Sequence, residues 1–309
     1  METLYIRLHP TDNDLVELRY WREGEFKGNY KEQTLDLNEI QQLLDDSERD
    51  YYVLRPNLKD MGQVLFQWLD GSGRWLDGVL RTCPPQGLVL AIDASERLAN
   101  LPWEVLHDGN GFLVDRFVVP VRWVDETPGT LSVRESGLQV LFMATSPEGV
   151  KPVLDFEREE AQILDITKNL PLQLRVEESG CVKLLGTFWR RFAAETFDIF
   201  HLTGHGDIHN GQPIFVTESD TGERLDVGVS DLVGAFQRRF PRLAFLSGCR
   251  TGQGDGAGTF PSMAEAMVRE GVPAVLGWGR PIGDRVATDA AGNLYERLAE
   301  GDSIAAAVG

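Results

Sequence analysis

Two short stretches carry side chains that together could do nucleophilic chemistry. Residues 197–207 read FDIFHLTGHGD, and residues 243–252 read LAFLSGCRTG. In each, an apolar run stops at glycine and then presents a reactive group, His205 in the first and Cys249 in the second. A thiol becomes a strong nucleophile only as the thiolate, so it needs a base or a positive field beside it. An imidazole supplies that base, and a thiol with a base within reach is the minimum arrangement for cysteine nucleophilic catalysis. Gly204 and Gly206 flank His205, and Gly248 precedes Cys249. Glycine permits sharp turns and close backbone approach. The amides of Gly206 and Cys249 can then turn inward as an oxyanion hole. The alternative for Cys249 is a small core residue, and for His205 a bland loop histidine.

The other candidates read more plainly. His201 lies inside the apolar run and is expected to be a satisfied core histidine. His209 is expected on a loop, Asp207 and Asp255 on a solvated loop face with orientation of a basic substrate as the alternative, and His107 at a solvated turn marked by Asp108-Gly109 and Asn110-Gly111. His201, His205 and His209 have the spacing of a metal site on a helix, but two glycines inside the interval oppose a helix, and no HExxH pattern is present. The glycines around 248–258 fit neither GxxxxGK[ST] nor a strand-anchored GxGxxG. No metal and no organic cofactor is expected.

Both reactive groups need elements to hold them. The short runs 197–202 and 243–246 have the continuous apolar character of strands buried on both faces, as in a parallel sheet. Such a sheet places its sites at the carboxyl ends of its strands. From residue 137 onward strands and helices alternate. Strands are expected at 138–144, 172–176 and 274–277, and helices at 155–170, 182–194, 230–240, 262–270 and 284–298. A hairpin is expected over 213–226, around Asp220-Thr221-Gly222. That alternation predicts a parallel sheet with helices on both faces. Residues 1–54 contain two alternating strand segments, a link around Gly24 and Gly28, and a helix over 37–45 capped by Asp36. Residues 57–71 read as a helix, 88–92 and 117–124 as strands. The polar stretch 125–137 has the composition of a linker. A subdomain boundary is therefore expected there, separating residues 1–130 from residues 131–309.

Composition narrows the function. The 309 residues include 30 Lys and Arg against 48 Asp and Glu, a formal charge of −18. Such a surface repels nucleic acid and anionic lipid, so direct nucleic-acid binding and membrane association are not expected. No apolar run has transmembrane length, and the acidic, alternating N-terminus is not a signal peptide. Three cysteines, Cys83, Cys181 and Cys249, without a CxxC pair point to free thiols in a reducing compartment, and the expected location is the cytoplasm. The chain ends on SIAAAVG, inside a helical pattern, and a C-terminal truncation is expected.

The stretches FHLTGHG at 200–206, SGC at 247–249 and WGRPIGD at 278–284, with LPWEVL at 101–106 upstream, resemble the caspase-like cysteine peptidases and in particular the CHAT family, itself similar to separase. Cys249 follows His205 by 44 positions, close to the roughly 50-residue separation in caspases. The caspase pattern Gln-Ala-Cys-[RQG]-Gly reads Ser-Gly-Cys-Arg-Thr-Gly here, which argues against a metazoan-type caspase with Asp specificity. The resemblance implies a caspase-like α/β fold with the catalytic subdomain over 131–309, preceded by a smaller, degenerate caspase-like support subdomain over 1–130. It implies a cysteine endopeptidase with His205 as base, Cys249 as nucleophile, and Gly206 with Cys249 as oxyanion donors. The competing class is a catalytically silent scaffold that signals by binding. The resemblance further implies a protein substrate, such as a zymogen or pore-former in a bacterial signalling or antiviral defence pathway, and a regulatory sensor domain or partner protein. In separase-like sites an acidic residue near the position of Asp284 faces a basic P1 side chain, so Asp284 is either a P1-pocket residue or a helix N-cap. Trp278 is either a pocket wall or a core residue.

Overall fold

A computed structural model describes residues 1–25, 28–46, 57–124, 137–153, 156–192, 197–210, 212–248, 262–279 and 282–309. These fall into two compact units, one holding residues 1–124 and the other residues 137–307.

The first unit is built on a mixed five-stranded sheet. Its strands are β1 (Glu2–Thr11), β2 (Leu15–Arg22), β3 (Lys31–Asp36), β4 (Leu88–Ala94) and β5 (Val118–Arg122), in the order β3-β2-β1-β4-β5. β1, β2 and β3 run antiparallel, while β4 and β5 run parallel to β1. Period-two alternation turns Leu4, Ile6 and Leu8 to one face, where helices α1 (Gln41–Asp46), α2 (Leu58–Asp70) and α3 (Trp75–Leu80) bury them. Each such aliphatic side chain contributes about 1.5–3 kcal/mol on burial. Helix α2 crosses the turn at Trp103–Val105 closely: a Cβ on Gly62 would stand 1.8 Å from the Val105 carbonyl oxygen. His107 is not a solvated turn residue. It is 5% exposed, and its Nδ1 accepts the Gly109 N–H at 2.9 Å. The turn dipeptides leave an amide that needs an acceptor, and the imidazole provides one.

The second unit holds a five-stranded sheet of β6 (Leu138–Ala144), β7 (Leu172–Glu177), β8 (Ile199–Thr203), β12 (Leu243–Ser247) and β13 (Val275–Gly277), all parallel, in the order β13-β12-β8-β6-β7. Side-chain alternation splits its apolar residues between two cores. Leu141, Phe200, Leu202, Ala244 and Leu246 pack against α5 (Val182–Arg191), α6 (Val229–Ala235) and α7 (Met263–Arg269). Val140, Phe142, Ile199, Leu243 and Phe245 pack on the other face against α4 (Phe156–Thr167), α8 (Asp284–Ala299) and α9 (Ile304–Val308). β8 and β12 are buried throughout, as expected for inner strands of a parallel sheet covered on both sides.

Three strands make a separate antiparallel ribbon: β9 (His205–His209), β10 (Gln212–Glu218) and β11 (Arg224–Val227), in the order β11-β10-β9. The hairpin of β10 and β11 follows the expectation, but β9 does not. Its sequence, HGDIH, lacks an apolar alternation, and it was legible only as a turn and loop. Backbone pairing with β10, from Val216 opposite His205 to Gln212 opposite His209, makes it a strand. Helix α6 also differs. It starts one residue before Ser230, and the cap is formed by the Asp231 carboxylate accepting from Gly228 N at 3.0 Å. Among the described residues no helix is long and apolar enough to cross a membrane.

Candidate active site

The two glycine-stopped runs leave the sheet side by side. β8 and β12 are adjacent and in register from Ile199 opposite Leu243 to Thr203 opposite Ser247, so both strands end at one level. Backbone hydrogen bonds join the ends: Gly204 N donates to Ser247 O at 3.3 Å, and Thr145 N, just past β6, donates to Thr203 O at 3.0 Å. A Cβ on Gly248 would stand 3.1 Å from Gly206 N. The residue before Cys249 in sequence therefore lies against the residue after His205. Cys249 itself, with Arg250 and Asp255, lies outside the described residues.

The order of the sheet reverses between β6 and β8, because β7 continues on one side of β6 while the later strands continue beyond β8. A switch point of this kind opens a crevice outside the carboxyl ends of the strands. The loops after β6 and β8 meet there, and His205 Nε2 lies 2.8 Å from the Pro152 carbonyl oxygen. A carbonyl oxygen only accepts hydrogen bonds, so Nε2 carries the hydrogen, and in the neutral ring the lone pair is on Nδ1. Pro152 is a hydrogen-bond partner of His205 that the sequence does not mark. Its contribution is a backbone oxygen, 53 residues away from His205, and no side-chain pattern reports it.

Trp278 follows β13 and is half-buried; its Nε1 donates to Ser247 Oγ at 3.3 Å, and its ring meets Phe245 edge-on at 5.8 Å. The indole is thereby tied to the last residue of β12. Asp284 is the first residue of α8, and the N-cap position is held by Gly283. Asp207 is exposed on β9, opposite Ile214. His201 is fully buried and stacks on Phe245 at 4.4 Å, with Phe142 edge-on at 5.0 Å. Those two rings are its register neighbours on β12 and β6. It is a core histidine, but a stacked rather than a hydrogen-bonded one: among the described residues neither ring nitrogen has a hydrogen-bond partner, and Nε2 lies 3.5 Å from Glu159 Oε1. Burial lowers its pKa to about 3, so the ring is neutral.

The described thiols have unfavourable settings for attack. Cys181 is 2% exposed at the start of α5. Cys83 is half-buried, and burial raises its thiol pKa. Among the described residues no group of three or more His, Cys, Asp or Glu side chains is placed to hold a metal ion.

Compared with known families, residues 59–309 match the CHAT domain. The chain belongs to the CHAT family. That family is related to the caspase-like cysteine peptidases, and the parallel sheet of this CHAT chain, flanked by helices on both faces, is consistent with a caspase-like fold. No curated protein matches this CHAT chain in sequence.

Proposed function

We propose that this CHAT chain is a cysteine endopeptidase in which Cys249 attacks a peptide carbonyl and His205 moves the protons. The observation that carries the reading is the hydrogen bond from His205 Nε2 to Pro152 O, at 2.8 Å. It fixes the tautomer whose free lone pair is on Nδ1, and it orients the ring, as a third group does in a catalytic triad. Nδ1 takes the proton of the Cys249 thiol. The sulfur forms a bond to the carbonyl carbon, and the oxyanion is received by the amides of Gly206 and Cys249. The C–N bond then breaks as the imidazolium protonates the leaving amine. Water, deprotonated by the same imidazole, hydrolyses the thioester and restores the thiol. Neither step draws on a metal or an organic cofactor.

Support for the pairing comes from the register of β8 with β12 and the approach of Gly248 to Gly206. Support for Cys249 over the other thiols comes from the burial of Cys181 and the raised thiol of Cys83. Asp284, at the start of α8, and Trp278, tied to Ser247, are the proposed P1-pocket residues, with Arg or Lys preferred at P1. The substrate is a protein, and a sensor domain or partner protein governs access to it. The experiment is labelling with a thiol-reactive peptide probe. Labelling of the wild type and none of Cys249→Ala supports the reading; equal labelling of both, or of neither, favours a catalytically silent scaffold.

A further inference from the structure

We propose that Phe215 is a positioning residue that sets the spacing between Gly204, which precedes His205, and Gly248, which precedes Cys249. The inference rests on the peptidase reading and extends it to a residue outside the loops themselves. Phe215 is fully buried on β10, opposite Gly206 of β9. Its ring tip is wedged between two glycines from different strands. A Cβ on Gly204 would stand 2.8 Å from Cε1, and a Cβ on Gly248 would stand 2.6 Å from Cε2 and 3.0 Å from Cζ. One edge of the ring thus fills the missing side chain of the residue before His205, and the other edge that of the residue before Cys249. Distances under 3 Å leave no room for a methyl group at either glycine unless the ring shifts.

A hydrogen bond beside the ring ties the ribbon to the sheet. Thr145, just past β6, donates from Oγ1 to Val216 O at 2.8 Å, next to Phe215 on β10. The same Oγ1 occupies the other side of the Gly204 slot, 2.2 Å from where a Cβ would stand. The turn at Gly204 is therefore clamped between Thr145 and Phe215, and the turn at Gly248 rests on the far edge of the same ring. A nucleophile and its base must be held within a few tenths of an ångström to exchange a proton efficiently. A rigid, flat aromatic spacer holds two turns at a fixed distance better than a flexible chain.

The test uses the full chain and four variants: Phe215→Leu, Phe215→Met, Gly248→Ala and the double variant Gly248→Ala/Phe215→Leu. Peptide hydrolysis and the pH dependence of Cys249 alkylation by iodoacetamide are both read, with Cys249→Ala as the control. Phe215→Leu is expected to lower kcat about 10-fold or more with KM within about 2-fold. It is expected to move the alkylation profile toward that of an isolated thiol, near pH 8.5. Phe215→Met, closer in length, is expected to recover part of both. Gly248→Ala alone is expected to lose at least as much, and the double variant to lose less than the two single effects combined, because removing the ring tip makes room for the methyl group. Unchanged kcat and alkylation profile in Phe215→Leu, or single effects that combine independently in the double variant, would overturn the assignment. A wild type whose hydrolysis is unaffected by Cys249→Ala would instead overturn the peptidase reading, and the alkylation profiles would still report whether Phe215 positions the two turns.

Discussion

The imidazole of His205 is held by the carbonyl oxygen of Pro152, 2.8 Å from Nε2, across the point where the parallel sheet reverses its strand order. This one contact assigns the tautomer and leaves Nδ1 as the basic nitrogen. His205→Gln keeps an N–H donor for Pro152 and removes the base. It is expected to lower kcat about 10²–10⁴-fold with little change in thermal stability, as read by peptide hydrolysis alongside a melting curve. Retention of wild-type kcat would show that another group takes the thiol proton.

A second consequence concerns acid stability. Unfolded, an imidazole titrates near pH 6.5; folded, His201 titrates near 3 because it is buried among Phe142, Phe245 and Tyr295. The ionisable groups facing it are Glu159 from α4, 3.5 Å from Nε2, and the Tyr295 phenol from α8, which burial raises well above its ordinary range and so keeps neutral. Between these two pH values the unfolded chain binds a proton that the folded chain does not. The stabilisation is thus complete above about pH 6.5 and is lost as the pH falls toward 3. His201→Phe is expected to flatten the slope of unfolding free energy against pH over that window by up to about one proton, or ~1.4 kcal/mol per pH unit, measured by urea denaturation at several pH values. A slope identical to the wild type would place the titration elsewhere.

Trp278 and Ser247 are expected to couple. The indole N–H donates to Ser247 Oγ at 3.3 Å, a bond worth about 1 kcal/mol net. In a double-mutant cycle, Trp278→Phe and Ser247→Ala should show an interaction energy of about 0.5–1.5 kcal/mol by chemical denaturation. Additive effects would show that the contact contributes nothing. If Trp278 also walls the P1 pocket, Trp278→Phe raises KM for peptide substrates, while Ser247→Ala has a smaller effect.

The proposed P1 preference has its own check. A peptide panel with Arg, Lys and Leu at P1 is expected to be cut best at Arg or Lys, and Asp284→Asn to reduce that preference about 10-fold or more. Cleavage of Leu peptides at the same kcat/KM as Arg and Lys peptides would remove Asp284 from the pocket.

In the first unit, Gly62→Ala sets a methyl group against the Val105 carbonyl oxygen, 1.8 Å away without movement. α2 must then shift from the turn at Trp103–Val105. Overpacking of this kind costs about 1–3 kcal/mol, expected as a lower melting temperature. An unchanged one would mean the helix has room to move.

Much of the second unit was legible because its signals are local. Phe200 and Leu202, like Phe245 and Leu246, form apolar runs that glycine ends, and an inner parallel strand looks like that from sequence alone. Helix α8 begins at Asp284 as expected, and Ser262 caps α7 by accepting from Glu265 N. What stayed hidden was non-local. β9 exists through its pairing with β10, since Gly206 and Asp207 carry no strand signature. Pro152 acts through a backbone oxygen, which no residue type advertises. Phe215 reads as an ordinary strand residue until Gly204 and Gly248 are seen on either side of its ring. His201 was legible as core, but its stacking on Phe245 with Phe142 edge-on depends on a register across three strands.

The most direct measurement is intact-protein mass spectrometry during turnover of a slowly hydrolysed peptide ester. The reading predicts a transient acyl adduct that maps by digestion to the peptide containing Cys249, decays as product appears, and is absent from Cys249→Ala. Hydrolysis by Cys249→Ala at the wild-type rate, or an adduct carried by Cys83 or Cys181 instead, would contradict it.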